Sequence, residues 1–132
     1  MPATYEPIAT TTLSSAASTI TFSSISGSYT DVRIVLVGTH EATATTIRMQ
    51  VNSDTGTNYS YTELVGDGAT ATSGRGTSSS RINCGNANFN TTLPSLITVD
   101  WFSYAGSINK TCLITTSQDR NGTGVVYGTV GL

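Results

Sequence analysis

The chain has 132 residues, 11% of them charged, and a net charge of −2, which describes one domain large enough to bury a core of its own. Its six basic residues, Arg33, Arg48, Arg75, Arg81, Lys110 and Arg120, form no run; this argues against nucleic acid as a partner, because binding by counterion release needs clustered cations. The longest apolar stretch is far short of a membrane span, and the opening MPATYEPIATTTLSS has neither the basic nor the apolar region of a secretory signal, so folding in the cytoplasm is expected.

Ser and Thr supply roughly a third of the chain, and the 13 glycines fall at turns rather than in repeats. β-Branched Thr suits a pleated surface, so this composition favours strands over helices. No segment carries the apolar spacing of a helix, whereas short alternating blocks recur between turn residues. ASTITFSSI (17–25) alternates Ile20 and Phe22 with polar neighbours. DVRIVLVG (31–38) puts Val32, Ile34 and Leu36 on one face and Val35 and Val37 on the other, the pattern of a central strand covered on both sides. TTIRMQVN (45–52) alternates Ile47, Met49 and Val51 inward with Arg48 and Gln50 outward, and YSYTELV (59–65) is the next strand.

GDGATATSGRGTSSS (66–80) has almost no large apolar residue. It reads as a long exposed loop, or as a poor edge strand within one, and loops of that length are often functional. SRINC (80–84) is a weak strand; SLITVDWFSY (95–104), KTCLITTS (110–117) and VVYGTVGL (125–132) are stronger ones. The sum is an all-β chain of about eight strands, an antiparallel β-sandwich of jelly-roll-like type, in a single domain over residues 1–132. Its expected core includes Ile34, Leu36, Ile47, Met49, Val51, Val99, Trp101 and Leu113.

Catalytic constellations are missing. The chain has one histidine, His40, in the turn THEAT, with no G-x-S-x-G nucleophile elbow and no H-E-x-x-H zinc-protease motif. Cys84 and Cys112 are expected to be reduced, buried and without zinc, a disulfide between them being open only if their strands are neighbours. Asp100 lies inside the apolar block TVDWF; an outward or rim position bonded to a neighbouring backbone group is expected, since no partner acid at glycosidase separation is evident. The sequons at Asn58, Asn90, Asn109 and Asn121 read as turn chemistry rather than glycosylation sites.

The stretch NSDTGTNYSYTELVGDG (52–68) admits several readings. Asn52, Asp54 and Asn58 offer oxygens, but the glycine and distal glutamate of a calcium loop are out of register. An Asx-type turn at Asp54 and Gly56 fits better, and no metal or other cofactor is expected. Tyr59 and Tyr61 then share one strand face, either on the core or as an exposed pair able to meet a sugar or a protein. The candidate interaction surface is Tyr59, Tyr61, Arg75, Tyr104, Val126 and Val130.

The blocks MPATYEPIATTTL, ITFSSI, YTDVRIVLVG, DTGTNYSYT, WFSYAGSINKTCL and SQDRNGTGVVYGTVGL together resemble a group of small virion structural proteins of tailed phages that infect marine and freshwater bacteria, cyanobacteria included. The resemblance runs along most of the chain and rests on turns and strands rather than on chemical motifs. It implies a β-sandwich in a phage particle, assembled in the host cytoplasm, that serves as a capsid decoration (cement) protein or as part of a tail or fibre. It implies no catalytic residue. Members of the group commonly continue past the VGL-like stretch with further strands, whereas this sequence ends at Leu132.

A decoration protein bound to the major capsid protein is the first expectation. A host-recognition or fibre module that binds a surface glycan is the alternative, and a depolymerase the least favoured. The final block VVYGTVGL holds neither charge nor proline, so it reads as an exposed strand edge that a neighbouring chain covers. That points to a homo-oligomer, with a trimer favoured.

Overall fold

The computed structural model describes residues 5–40, 46–84, 91–118 and 124–131. Eight strands account for its regular structure: β1 (Val32–Gly38), β2 (Arg48–Met49), β3 (Tyr59–Gly66), β4 (Ala71–Ser79), β5 (Ile82–Asn83), β6 (Ser95–Trp101), β7 (Cys112–Gln118) and β8 (Val125–Gly131). Among the described residues there is no helix. Six strands form one antiparallel sheet in the order β1-β6-β7-β8-β3-β4, and β2 pairs with β5 in a two-stranded ribbon. The ribbon packs on one face of the sheet, so the molecule is an all-β antiparallel sandwich with very unequal layers.

Strand alternation sorts the sheet into two faces. On the inner face one row runs Ile34, Val99, Ile114, Thr129, Glu63, Gly74, and the next runs Leu36, Ile97, Thr116, Tyr127, Val65, Thr72. Ile97, Val99, Trp101, Cys112, Ile114 and Tyr127 from this face are buried together with Ile82 and Cys84 of the ribbon. Each fully buried aliphatic side chain contributes about 1.5–3 kcal/mol relative to exposure. Ile34, Leu36, Ile47, Met49, Val51 and Val65 pack around this centre half-buried.

The ribbon docks at the middle of the sheet for a local reason. A Cβ on Gly131 would stand 2.9 Å from Ile82 Cγ2 and 3.0 Å from Cys112 Sγ, so only glycine lets Ile82 reach full burial there. The Thr116 hydroxyl donates to the Cys84 carbonyl at 2.5 Å, and the Cys84 N–H donates to the Ile47 carbonyl at 2.9 Å. Backbone groups that leave the ribbon are thereby satisfied inside the core.

Residues 66–80 contain a nine-residue edge strand, β4, rather than a loop throughout. The reading of a poor edge strand left open by the sequence is the one that holds there, and most of its side chains are exposed. The glycines work in its favour: the Tyr61 ring lies where a Cβ on Gly76 would be, and the Glu63 carboxylate lies 2.8 Å from a Cβ position on Gly74. Large side chains of β3 fold over small positions of β4, a cross-strand fit that compensates for poor strand propensity. The turn between the two strands is set by Asp67, whose carboxylate accepts from the N–H groups of Ala69 at 2.9 Å and Thr70 at 2.6 Å, with Gly68 at φ 87°.

Four other expectations are corrected. ASTITFSSI forms no strand; Ile20 and Phe22 stay 40% and 39% exposed, because period-two alternation needs a partner strand and none among the described residues pairs with this segment. The β1 strand is an edge strand, not a central one, and Val35 and Val37 are 59% and 67% exposed. Leu113 faces outward, 43% exposed, since Cys112 and Ile114 take the inner positions of β7. The final strand is not an edge: β8 pairs with β7 on one side and β3 on the other. The ribbon strand in TTIRMQVN is only two residues long, although its in–out alternation is as expected. The rest of the THEAT turn beyond His40, the RNG turn, and the sequons at Asn90 and Asn121 lie outside the described residues.

Two substitutions test this register. Ile114→Ala is expected to cost about 2–5 kcal/mol in chemical denaturation, from lost transfer energy plus a cavity, whereas Leu113→Ala one residue away should cost less than about 1 kcal/mol. Equal midpoint shifts would refute the facing of β7. Thr129 is completely buried and its hydroxyl has no hydrogen-bond partner among the described residues. The near-isosteric Thr129→Val change is therefore expected to raise stability by about 1 kcal/mol, read as a higher denaturation midpoint.

Candidate functional site

The structure separates the six candidate surface residues into distinct environments. Tyr59 is buried, 5% exposed. Its hydroxyl accepts from the Val51 N–H at 3.2 Å and lies 3.3 Å from the Val51 carbonyl and 3.1 Å from the Asp54 carbonyl. It therefore anchors the 51–54 turn from beneath and offers nothing to a partner. Tyr61 is half-buried on the ribbon side, and its hydroxyl accepts from Asn83 Nδ2 at 2.7 Å. Tyr104 is half-buried in the turn after β6, its hydroxyl 3.4 Å from the Ile25 carbonyl. The bland alternative for the tyrosine pair, a place on the core with hydroxyls reaching outward, describes Tyr59 and Tyr61 well.

Arg75, Val126 and Val130 share the outer face of the sheet, without adjoining one another. One row across that face runs Arg33, Asp100, Leu113, Val130, Thr62, Arg75; a second runs Val35, Thr98, Thr115, Gly128, Leu64, Ser73; a third runs Val37, Leu96, Ser117, Val126, Gly66, Ala71. Seven aliphatic side chains, Val35, Val37, Leu64, Leu96, Leu113, Val126 and Val130, stand exposed on these three rows. Thr and Ser fill most of the remaining positions. Isolated surface aliphatics need no account, but a sheet face carrying this many in register is the kind of patch that marks an interaction surface.

The charges on this face lie at its ends. Arg33 donates to both carboxylate oxygens of Asp100, at 2.6 and 2.9 Å, a bidentate fork. The Asp100 hydrogen bond and charge hold the Arg33 guanidinium above its ordinary pKa. The Tyr5 ring lies 5.4 Å from the same guanidinium, within cation–π range. Asp100 is thus outward as expected, but its partner is a side chain rather than a backbone group.

The other acids are committed to turns. Asp54 accepts from the Gly56 N–H at 2.8 Å and from Asn58 Nδ2 at 3.0 and 3.2 Å, the Asx-type turn expected of this stretch. These bonds, Asn58 first, lower the Asp54 pKa, and the Thr70 and Ala69 N–H groups do the same for Asp67. Asp31 accepts from the Ser103 N–H at 2.8 Å. Among the described residues no three His, Cys, Asp or Glu side chains gather as a metal site.

A second polar feature, invisible in the linear chain, lies beside the ribbon. Arg48, Tyr61, Ser79, Ser80, Arg81 and Asn83 line a cleft of about 350 Å³. A bulge in the β3–β4 pairing between Tyr59 and Tyr61, with Ser78 at φ 51°, turns the end of β4 toward the ribbon and brings Ser79 and Ser80 to its rim. An apolar recess of about 120 Å³ is lined by Ile34, Leu36, Ile47, Met49, Ile97 and Val99 among others, and it shares Arg48 with the cleft.

No family model, curated protein or solved structure matches this chain.

Cys84 and Cys112 are free and buried. Burial pushes their thiols up to about 12 and about 11, so neither is a nucleophile near neutral pH. Both are expected to resist a thiol reagent at pH 8 in the native protein and to react in denaturant. A thiol raised by folding stays protonated while the unfolded one ionises. The corresponding stability is full below the unfolded pKa of about 8.5 and is lost as pH climbs toward the folded values. Rapid modification of the native protein would contradict the placement of both residues.

Proposed function

We propose that this chain is a structural protein of a tailed-phage virion, a capsid decoration protein that stabilises the head through protein–protein contacts and performs no catalysis. One observation carries the reading: the outer face of the six-stranded sheet presents seven exposed aliphatic side chains in three registered rows. A face of this kind gains about 25 cal/mol for each Å² it loses to a partner, and it has no polar network to break when it does so. Its ion pair among the described residues, Arg33–Asp100, is already satisfied within the chain. The occupant in this reading is the outer surface of the capsid shell, a broad and static partner suited to a flat sheet. A homo-oligomer, with a trimer favoured at a capsid three-fold, places several such faces on the shell at once and multiplies their effect.

The resemblance of the sequence blocks to phage virion proteins supports the same class of function. A tail-fibre or host-recognition module is the second reading, and the polar cleft beside the ribbon is the observation that favours it.

Val126→Lys and Leu64→Lys place a charge on the outer face at positions 56% and 66% exposed. Both are expected to leave the melting temperature within a few degrees of wild type, yet to strip the protein from particles in a sedimentation assay. Quantitative mass spectrometry of purified virions separates the two readings, since a decoration protein approaches the copy number of the capsid protein and a fibre part does not. Undiminished particle binding by both lysine variants would refute the role of this face.

A further inference from the structure

The cleft lined by Arg48, Tyr61, Ser79, Ser80, Arg81 and Asn83 gathers two of the six basic residues of a chain whose net charge is −2. No carboxylate among the described residues lines it. Arg33–Asp100 is the ion pair among the described residues, so neither Arg48 nor Arg81 has an acidic partner there. Two guanidinium groups brought to one cleft without a counter-charge repel each other, and a bound anion would relieve that repulsion.

Their arrangement follows from ribbon register. Arg48 lies opposite Asn83, and Arg81 is two residues before Asn83, so all three belong to the ribbon face turned away from Ile82 and the core. The base of the cleft is fixed. The Tyr61 ring is seated over Gly76, its hydroxyl accepts from Asn83 Nδ2 at 2.7 Å, and Gln50 Nε2 donates to the Ser80 carbonyl at 3.0 Å. This leaves the Tyr61 hydroxyl proton as a donor, Asn83 Oδ1 as an acceptor, and the Ser79 and Ser80 hydroxyls as either.

We propose that this cleft binds an acidic saccharide unit, a sugar ring bearing a carboxylate or a sulfate. The two arginines take the oxyanion through charge-assisted N–H···O bonds, for which their planar forks are suited. Tyr61, Asn83, Ser79 and Ser80 match the ring hydroxyls, which both donate and accept. A volume of about 350 Å³ is at the lower end of small-ligand sites and suits one or two sugar rings. A nucleic acid backbone is a poorer match, since it needs a longer track of cations than two. The inference stands on the cleft alone and does not depend on the outer sheet face or on a decoration role.

The test is calorimetric or NMR titration of the full chain with five probes: a glucuronate-containing trisaccharide, a sulfated disaccharide, the neutral counterpart of each, and inorganic sulfate. At least one of the two acidic saccharides is expected to bind, and the one that does identifies the oxyanion. Its neutral counterpart and free sulfate should bind at least about tenfold more weakly. Arg48→Gln and Arg81→Gln should each weaken the acidic saccharide by about tenfold, the loss expected for a hydrogen bond to a charged group. Arg48→Lys and Arg81→Lys keep the charge without the fork and should lie between. Tyr61→Phe should weaken the saccharide without altering the response to sulfate. Arg75→Gln, on the outer face, should change nothing. Both arginines are exposed, and the melting temperature of each variant checks that the fold persists. The proposal is overturned if neither acidic saccharide binds, if free sulfate binds as tightly as the saccharide, or if the arginine variants bind as wild type does.

Discussion

The seating of Ile82 against Gly131 and Cys112 is the contact from which most of the architecture follows. Without a Cβ at Gly131 the two-stranded ribbon comes close enough to bury Ile82 completely. The Thr116–Cys84 hydrogen bond then pins the ribbon across the central strand β7. A six-stranded sheet has one face that must be covered for the chain to fold at all. Here two short strands and their flanking residues cover it, and the ring of half-buried aliphatics around the centre, from Ile34 to Val51, shows how far that cover extends.

The same arrangement produces both surfaces of functional interest. The ribbon takes the inner face; on the outer one Tyr5 meets Arg33 at one end, while Val35, Leu64, Val126 and their neighbours remain exposed. Because the ribbon turns Ile47, Met49, Ile82 and Cys84 inward, it turns Arg48, Arg81 and Asn83 outward, next to the bulged end of β4. An apolar sheet face and a basic polar cleft therefore sit on different sides of one molecule. The first suits a broad protein partner, the second a small charged ligand, and a protein that packs against a shell by one side keeps the other free.

The polar side chains of the chain are mostly spent on geometry. Asp54 and Asp67 close turns, Asp31 holds the turn after β6, and Tyr59 supports residues 51–54 from the core. Asp54, Asp67 and Tyr59 act locally, replacing missing backbone partners where the chain reverses, whereas Asp31 reaches a turn 72 residues away. Glu63 Oε2 and Thr129 Oγ1 are exceptions, buried and without a hydrogen-bond partner among the described residues, at registered positions on β3 and β8. They mark the place on the inner face where polar groups are least well compensated.

Local chemistry was legible in the linear chain. Alternation in VRIVLVG, SLITVDW and CLITTSQ reported strands, because a half-buried pleat imposes period two on its own residues. The turn at Asp54 was likewise readable, since an Asx turn is made within five residues. Pairing was not. Whether β8 is an edge or a centre depends on β3, some sixty residues earlier, and no property of VVYGTVGL records that neighbour. Leu113 and Ile114 are both apolar, and only the register with β6 and β8 decides which one faces the core. The strand in ATSGRGTSS was hidden because its glycines are poor strand formers alone and good ones opposite Tyr61 and Glu63. The arginine cleft was hidden for the same reason: Arg48 and Arg81 are 33 positions apart in the sequence and meet only through the ribbon. The sequence by itself determined the strands whose apolar residues alternate along one pleat, such as β6 and β7, and local turns such as that at Asp54, because those choices rest on neighbouring residues. The tertiary structure alone decided which face each segment shows and which charges share a cleft, because those depend on partners distant along the chain.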